Sequence, residues 1–130
     1  MTSKNKKDPS GELLTRTIAM PADTNANGDI FGGWIMSQMD IASGIMAKST
    51  ARSRVATVAV DAMAFHFPVQ VGDTVACYGE LLGIGRTSMK ILIEVWAQRA
   101  LDNQYFCVTE AQFTYVAINE EGKPIPVTRK

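Results

Sequence analysis

The chain has 130 residues, with 13 basic and 13 acidic side chains and a formal net charge of zero. That length fits one domain able to bury roughly two-thirds of the surface its unfolded chain would expose. The neutral balance removes the electrostatic reason to expect nucleic acid or an anionic membrane as partner, so any basic site for a phosphorylated ligand must be local.

Residues 1–11 are polar and partly basic with no apolar segment behind them, which reads as a flexible tail rather than a signal peptide. Residues 12–20 form a short strand candidate, ended by Pro21 and the turn formers Asp23, Thr24 and Asn25. Residues 33–48 are the one convincing helix, apolar nearly all round (Trp34, Ile35, Met36, Met39, Ile41, Ala42, Ile45, Met46). Such a helix is a buried one, too short to span a membrane, and needs cover on more sides than one sheet face supplies. Dimerisation beside the helix is the expected source of that cover.

The remainder reads as sheet. Residues 55–67 are a long β-rich run closed by Pro68, followed by a turn at 69–73 and strands at 74–82, 87–97 and 105–118 with hairpin-length connections. In the strand at 87–97, Met89, Ile91, Ile93, Val95 and Ala97 share one face, and Ser88, Lys90, Glu94 and Gln98 the other. Cys77 and Cys107 sit in strand-like sequence outside any CxxC pair, which suits reduced, buried thiols in a cytoplasmic protein. Residues 128–130 read as a second tail. The order of elements predicts an α+β fold, an antiparallel sheet wrapped around a single helix.

Chemistry points to the start of the helix. Asp40 is the only charged residue between Ile30 and Ala47. A carboxylate in such a segment is costly to bury unless it is paired, neutralised or functional. Gly32 and Gly33, eight and seven residues earlier, offer bare backbone N–H groups at a helix N-terminus, suited to an oxygen becoming negative. Two readings stay open on these grounds: a carboxylate that orients or deprotonates water, or an exposed helix aspartate. Asn25, Asn27 and Asp29 fit turn and capping roles, and the two asparagines also fit as groups that orient a water or a carbonyl.

His66 is the only histidine, which excludes a histidine-rich metal site and weakens any Ser-His-Asp arrangement. No serine lies in a GxSxG elbow. Gly83-Ile84-Gly85-Arg86-Thr87-Ser88 is followed by a strand, so it is no phosphate loop, yet Arg86, Thr87 and Ser88 cluster donors able to hold an extended ligand arm. Lys48, Arg52 and Arg54 form a small basic patch that fits the same use or simple solvation.

The segment from Arg16 to Pro21, continuing through Asp23-Thr24-Asn25-Ala26-Asn27-Gly28-Asp29-Ile30-Phe31-Gly32-Gly33-Trp34 to Asp40, resembles the YciA-type acyl-CoA thioesterases of the hotdog superfamily. Val58-Ala59-Val60, Val71-Gly72-Asp73, Gly85-Arg86-Thr87-Ser88 and Phe113-Thr114-Tyr115-Val116 extend the likeness over residues 12–127. Many relatives carry His where this chain has Phe31, and the YciA-type branch resembles it in having Phe. The resemblance implies a single hotdog domain at residues 12–127, paired into dimers and commonly assembled into hexamers as trimers of dimers. It implies hydrolysis of acyl-CoA thioesters, with catalytic Asp40, Asn25 from the facing subunit and Gly33 at the thioester carbonyl. Gly32, Thr57, Val58, Arg86, Thr87 and Ser88 are the expected substrate contacts. No metal and no cofactor are implied, since coenzyme A is part of the substrate and product. A covalent anhydride through Asp40 stays open, as do two rival functions, a hotdog enoyl-thioester hydratase and a non-catalytic acyl-CoA sensor.

Overall fold

A computed structural model describes residues 8–127; of the tails expected at 1–11 and 128–130, residues 1–7 and 128–130 lie outside the described residues. The chain runs β1 (Glu12–Ile18), a short 3-10 turn (Pro21–Asp23), α1 (Gly32–Ala51), β2 (Arg54–Val60), β3 (Thr74–Ile84), β4 (Ser88–Gln98) and β5 (Tyr105–Ile118). The five strands form one antiparallel sheet in the order β1-β3-β4-β5-β2, curled around the helix. The α+β expectation holds.

The alternation read in β4 is reproduced: Met89, Ile91, Ile93, Val95 and Ala97 are all completely buried against the helix side. Their register partners Phe113, Ala111 and Tyr115 on β5 and Val75 and Cys77 on β3 complete that face. From α1 the core takes Ile35, Met39, Ala42, Ser43, Ala47 and Ala51, a stripe repeating every three or four residues. The helix is therefore not buried all round within one protomer. Met36, Ile41 and Ile45 are 41%, 55% and 43% exposed.

The largest departures from the sequence reading are two element ends and one connection. The helix runs on to Ala51, because nothing before Arg52 breaks it, and it ends when Arg52 turns left-handed at φ 57° with its N–H on the Lys48 carbonyl. The β-rich run after the helix stays a strand only to Val60. Beyond it Asp61 and His66 each donate one backbone bond to β5 and the Thr109 hydroxyl reaches the Ala64 carbonyl at 2.6 Å, but no ladder forms. Nor is the connection to β3 a hairpin, because β2 and β3 lie at different places in the sheet, separated by β4 and β5.

The sheet's other face is also partly covered. Glu94, on the polar face of the β4 alternation, is only 1% exposed; Ser10 folds over it and donates from its backbone N at 3.1 Å and its hydroxyl at 2.9 Å. Trp96 adds an indole N–H at 3.0 Å and stacks on Tyr105.

Candidate active site

The loop entering α1 is organised by Asn25. Its side-chain oxygen accepts the N–H groups of Asn27 at 2.8 Å and Asp29 at 3.1 Å, and its own backbone N–H donates to the Asp29 carbonyl. Gly28 supplies the positive φ of 85° that the turn needs. Because two N–H groups point at it, that atom of the amide must be the oxygen. The Asn25 amide N–H groups are left as donors, while the acceptor is committed to the loop. Asp29 is a turn residue whose backbone closes the same loop.

The loop then hands over to the helix at Ile30 and Phe31, whose N–H groups bond the carbonyls of Val69 and Asp23. No side chain caps the N-terminus of α1. The first-turn N–H groups, which a helix cannot satisfy internally, therefore remain for another acceptor. Gly33 is exposed, and a Cβ built on it would meet nothing within 4 Å. Within the protomer, then, neither contact nor backbone conformation demands glycine there.

Two turns further on, Asp40 is exposed and yet firmly held. The Thr57 hydroxyl donates to its Oδ1 at 2.7 Å. The Tyr115 hydroxyl contacts the same Oδ1 and also the Asp40 main-chain carbonyl, the latter at 2.8 Å. Burial first, and then the hydrogen bond to Asp40, push the Tyr115 phenol above the ordinary tyrosine range, so it stays protonated as a donor. These groups line a cleft of about 320 Å³ with Ile41, Gly44, Ile45, Lys48 and Val55. Such a cleft offers an acceptor carboxylate beside an apolar wall and a cation.

The remaining expected contacts are scattered. Thr57 directs its hydroxyl to Asp40, and Val58, on the free edge of the sheet, is 56% exposed. Arg86 lines a separate cleft of about 490 Å³ with Gly85, Pro126 and Val127. Arg86 and Thr87 anchor the C-terminal segment through their carbonyls, which accept Val127 N–H at 2.8 Å and Ala117 N–H at 2.9 Å. Ser88 opens β4 beside them. Within one protomer Arg86 and Asp40 line different clefts, whereas Thr57 shares the Asp40 cleft. His66 sits in the irregular segment after β2, with its backbone on Val108. Among the described residues no cluster of three metal-ligating side chains forms, and no helix is long and apolar enough to cross a membrane.

Sequence reading missed the role of Tyr115, quoted only as part of a supporting match. A tyrosine on the core face of a strand signals a hydroxyl in need of a partner, but not which partner.

Comparison with known proteins identifies the family. The pattern of the Thioesterase superfamily matches residues 27–102. The acyl-CoA thioester hydrolase YciA of Escherichia coli is 56% identical over 119 residues, 89% of this chain and 90% of the relative. The solved structure of HI0827, a hexameric broad specificity acyl-coenzyme A thioesterase, matches at TM-score 0.92 and 51% identity, covering 100% of this chain and 90% of its own. A hexameric thioesterase from Yersinia pestis matches at TM-score 0.89 and 55% identity, covering 94% and 99%.

Proposed function

The chain belongs to the thioesterase superfamily and is an acyl-CoA thioester hydrolase of hotdog fold, and we propose that it acts through Asp40 as general base on water. The observation that carries this reading is a carboxylate held by two hydroxyls at one oxygen, in a cleft two helical turns below an uncapped helix N-terminus.

In this mechanism Asp40 takes a proton from water as the water oxygen bonds to the thioester carbonyl carbon. The carbonyl electron pair moves onto its oxygen, which the N–H groups near Gly33 stabilise. The Asn25 amide serves as a further donor to the thioester oxygen, in keeping with an acceptor already engaged in its own loop. Collapse of the intermediate breaks the carbon–sulfur bond, and the proton on Asp40 passes to the departing sulfur. Free coenzyme A and a carboxylic acid result, with no cofactor taking part.

Assembly completes the site. Phe31, Met36, Ile41 and Ile45 leave an apolar stripe exposed beside Val58 and Val60 on the unpaired edge of β2. A second copy laid along that face would cover the stripe and bring its Asn25 toward Asp40. The hexameric state of HI0827 and of the Yersinia enzyme supports a hexamer built from three such dimers. Residues 12–127 form the thioesterase domain, with Gly32, Thr57 and Val58 near the acyl group and Arg86, Thr87 and Ser88 along the coenzyme A arm.

The test is a panel of acyl-CoAs with a thiol reagent, run on the protein and its Asp40→Asn variant. Thiol release lost in a folded Asp40→Asn oligomer supports the assignment, and near-normal release removes it. A hydratase would consume an enoyl thioester without freeing thiol, and a sensor would bind without turnover.

A further inference from the structure

Thr57 on β2 and Tyr115 on β5 are direct register partners in the antiparallel ladder. Side chains so paired stand next to each other on one face of the sheet, and both hydroxyls converge on Asp40 of the helix packed across it. Tyr115 is 2% exposed and its ring stacks on Phe113 with centroids 6.4 Å apart, so the phenol has no freedom to leave. Its hydroxyl contacts both the Oδ1 and the main-chain carbonyl of the same residue. That bridge ties a helical carboxylate to its own backbone, selecting one rotamer from those an exposed aspartate would otherwise populate. Among the described residues, Oδ1 takes both hydroxyl bonds and none goes to Oδ2.

We propose that Tyr115 is a positioning residue for hydrolysis: together with Thr57 it locks Asp40 through Oδ1 and so presents Oδ2 to the reacting water. The proposal rests on the reading of Asp40 as the general base. Tyr115 itself touches neither substrate nor water; it acts through the carboxylate. The water proton moves to Oδ2 and later to the sulfur, while the phenol proton stays in place throughout.

Tyr115→Phe removes only the hydroxyl and keeps the ring. In the full assembly with an acyl-CoA substrate, kcat should fall about 10–100-fold, the scale of a misplaced catalytic group, with KM changed less than twofold. A kcat within twofold of the parent, or a KM that rises in step with the loss, overturns the proposal. The same substitution made on Asp40→Asn should cost almost nothing further, because residues acting as a unit are non-additive. An equal fold-loss in both backgrounds overturns it too. Should Tyr115→Phe fail to assemble, Thr57→Ser and Thr57→Val provide the second pair. Activity retained by serine and lost by valine supports the hydroxyl clamp, and equal activity in both sinks it. If Asp40→Asn is inactive while Tyr115→Phe is fully active, only this inference falls; if Asp40→Asn turns over normally, the general-base reading falls as well.

Discussion

Glu94 and Asp40 are both gripped by hydrogen bonds, on opposite sides of the sheet, and their surroundings differ in kind. Glu94, on the outer face, is sealed from solvent and has both oxygens engaged, by the Ser10 backbone and hydroxyl and by the Trp96 indole. Asp40, on the helix side, is exposed and has both hydroxyl bonds on a single oxygen. A buried carboxylate with both oxygens matched adds to stability, because removing it strands its donors. A carboxylate fixed through one oxygen keeps the other for chemistry. On the proposed mechanism, burial alone would rank the two the wrong way round.

That contrast can be broken experimentally. Asp40→Ala carries the largest expected effect, a loss of about 10²–10⁴-fold in kcat with little change in unfolding temperature. Gly33→Ala comes next. Its Cβ meets nothing within 4 Å in the protomer, and alanine favours the helix, so folding should be preserved. Turnover should nonetheless fall by about 10²-fold if the added methyl keeps the thioester oxygen from the N–H groups there, as steady-state kinetics would reveal.

Glu94→Ala should do the reverse, lowering denaturant stability by about 2–4 kcal/mol while kcat stays within twofold below the transition. A large kcat loss in that variant would erase the distinction between the two faces.

The smallest effect is a pH dependence. Burial pushes the Cys77 thiol up to about 11, only partly offset by a hydrogen bond with Thr15. The folded state thus holds this proton more tightly than the unfolded chain. Its contribution is fully present below the unfolded thiol's pKa and is lost as pH rises toward 11, a decline of about 2 kcal/mol. Denaturation at pH 8 and pH 10.5, with Cys77→Ala as control, measures it. Tyr115, held above the usual tyrosine range, keeps its proton through the same window, so the Asp40 clamp should outlast that loss.

Much of the fold was legible because its signals are local. The β4 alternation marked five core residues correctly, since strand geometry alone puts every second side chain on one face. Residues 61–67 misled because β-rich composition records a preference for pleated surface and not a partner. Past the register shift between Thr57 and Ala59, that segment keeps only scattered bonds to β5. Glu94 was assigned to the correct face but not to burial, because its cover comes from Ser10, 84 residues away in sequence.

The candidate site divides along the same line. Asp40 stood out from sequence by its isolation among apolar neighbours, and the Gly32-Gly33 pair by its place before a helix; both are properties of adjacent residues. The clamp on Asp40 is not. Tyr115 lies 75 positions from Asp40, and Thr57 meets it only through the β2–β5 register. Register is fixed by which faces are buried across the whole sheet, so no local pattern specifies it. The sequence determined which carboxylate to watch; the tertiary structure alone decided which of its two oxygens is left without a hydroxyl partner among the described residues.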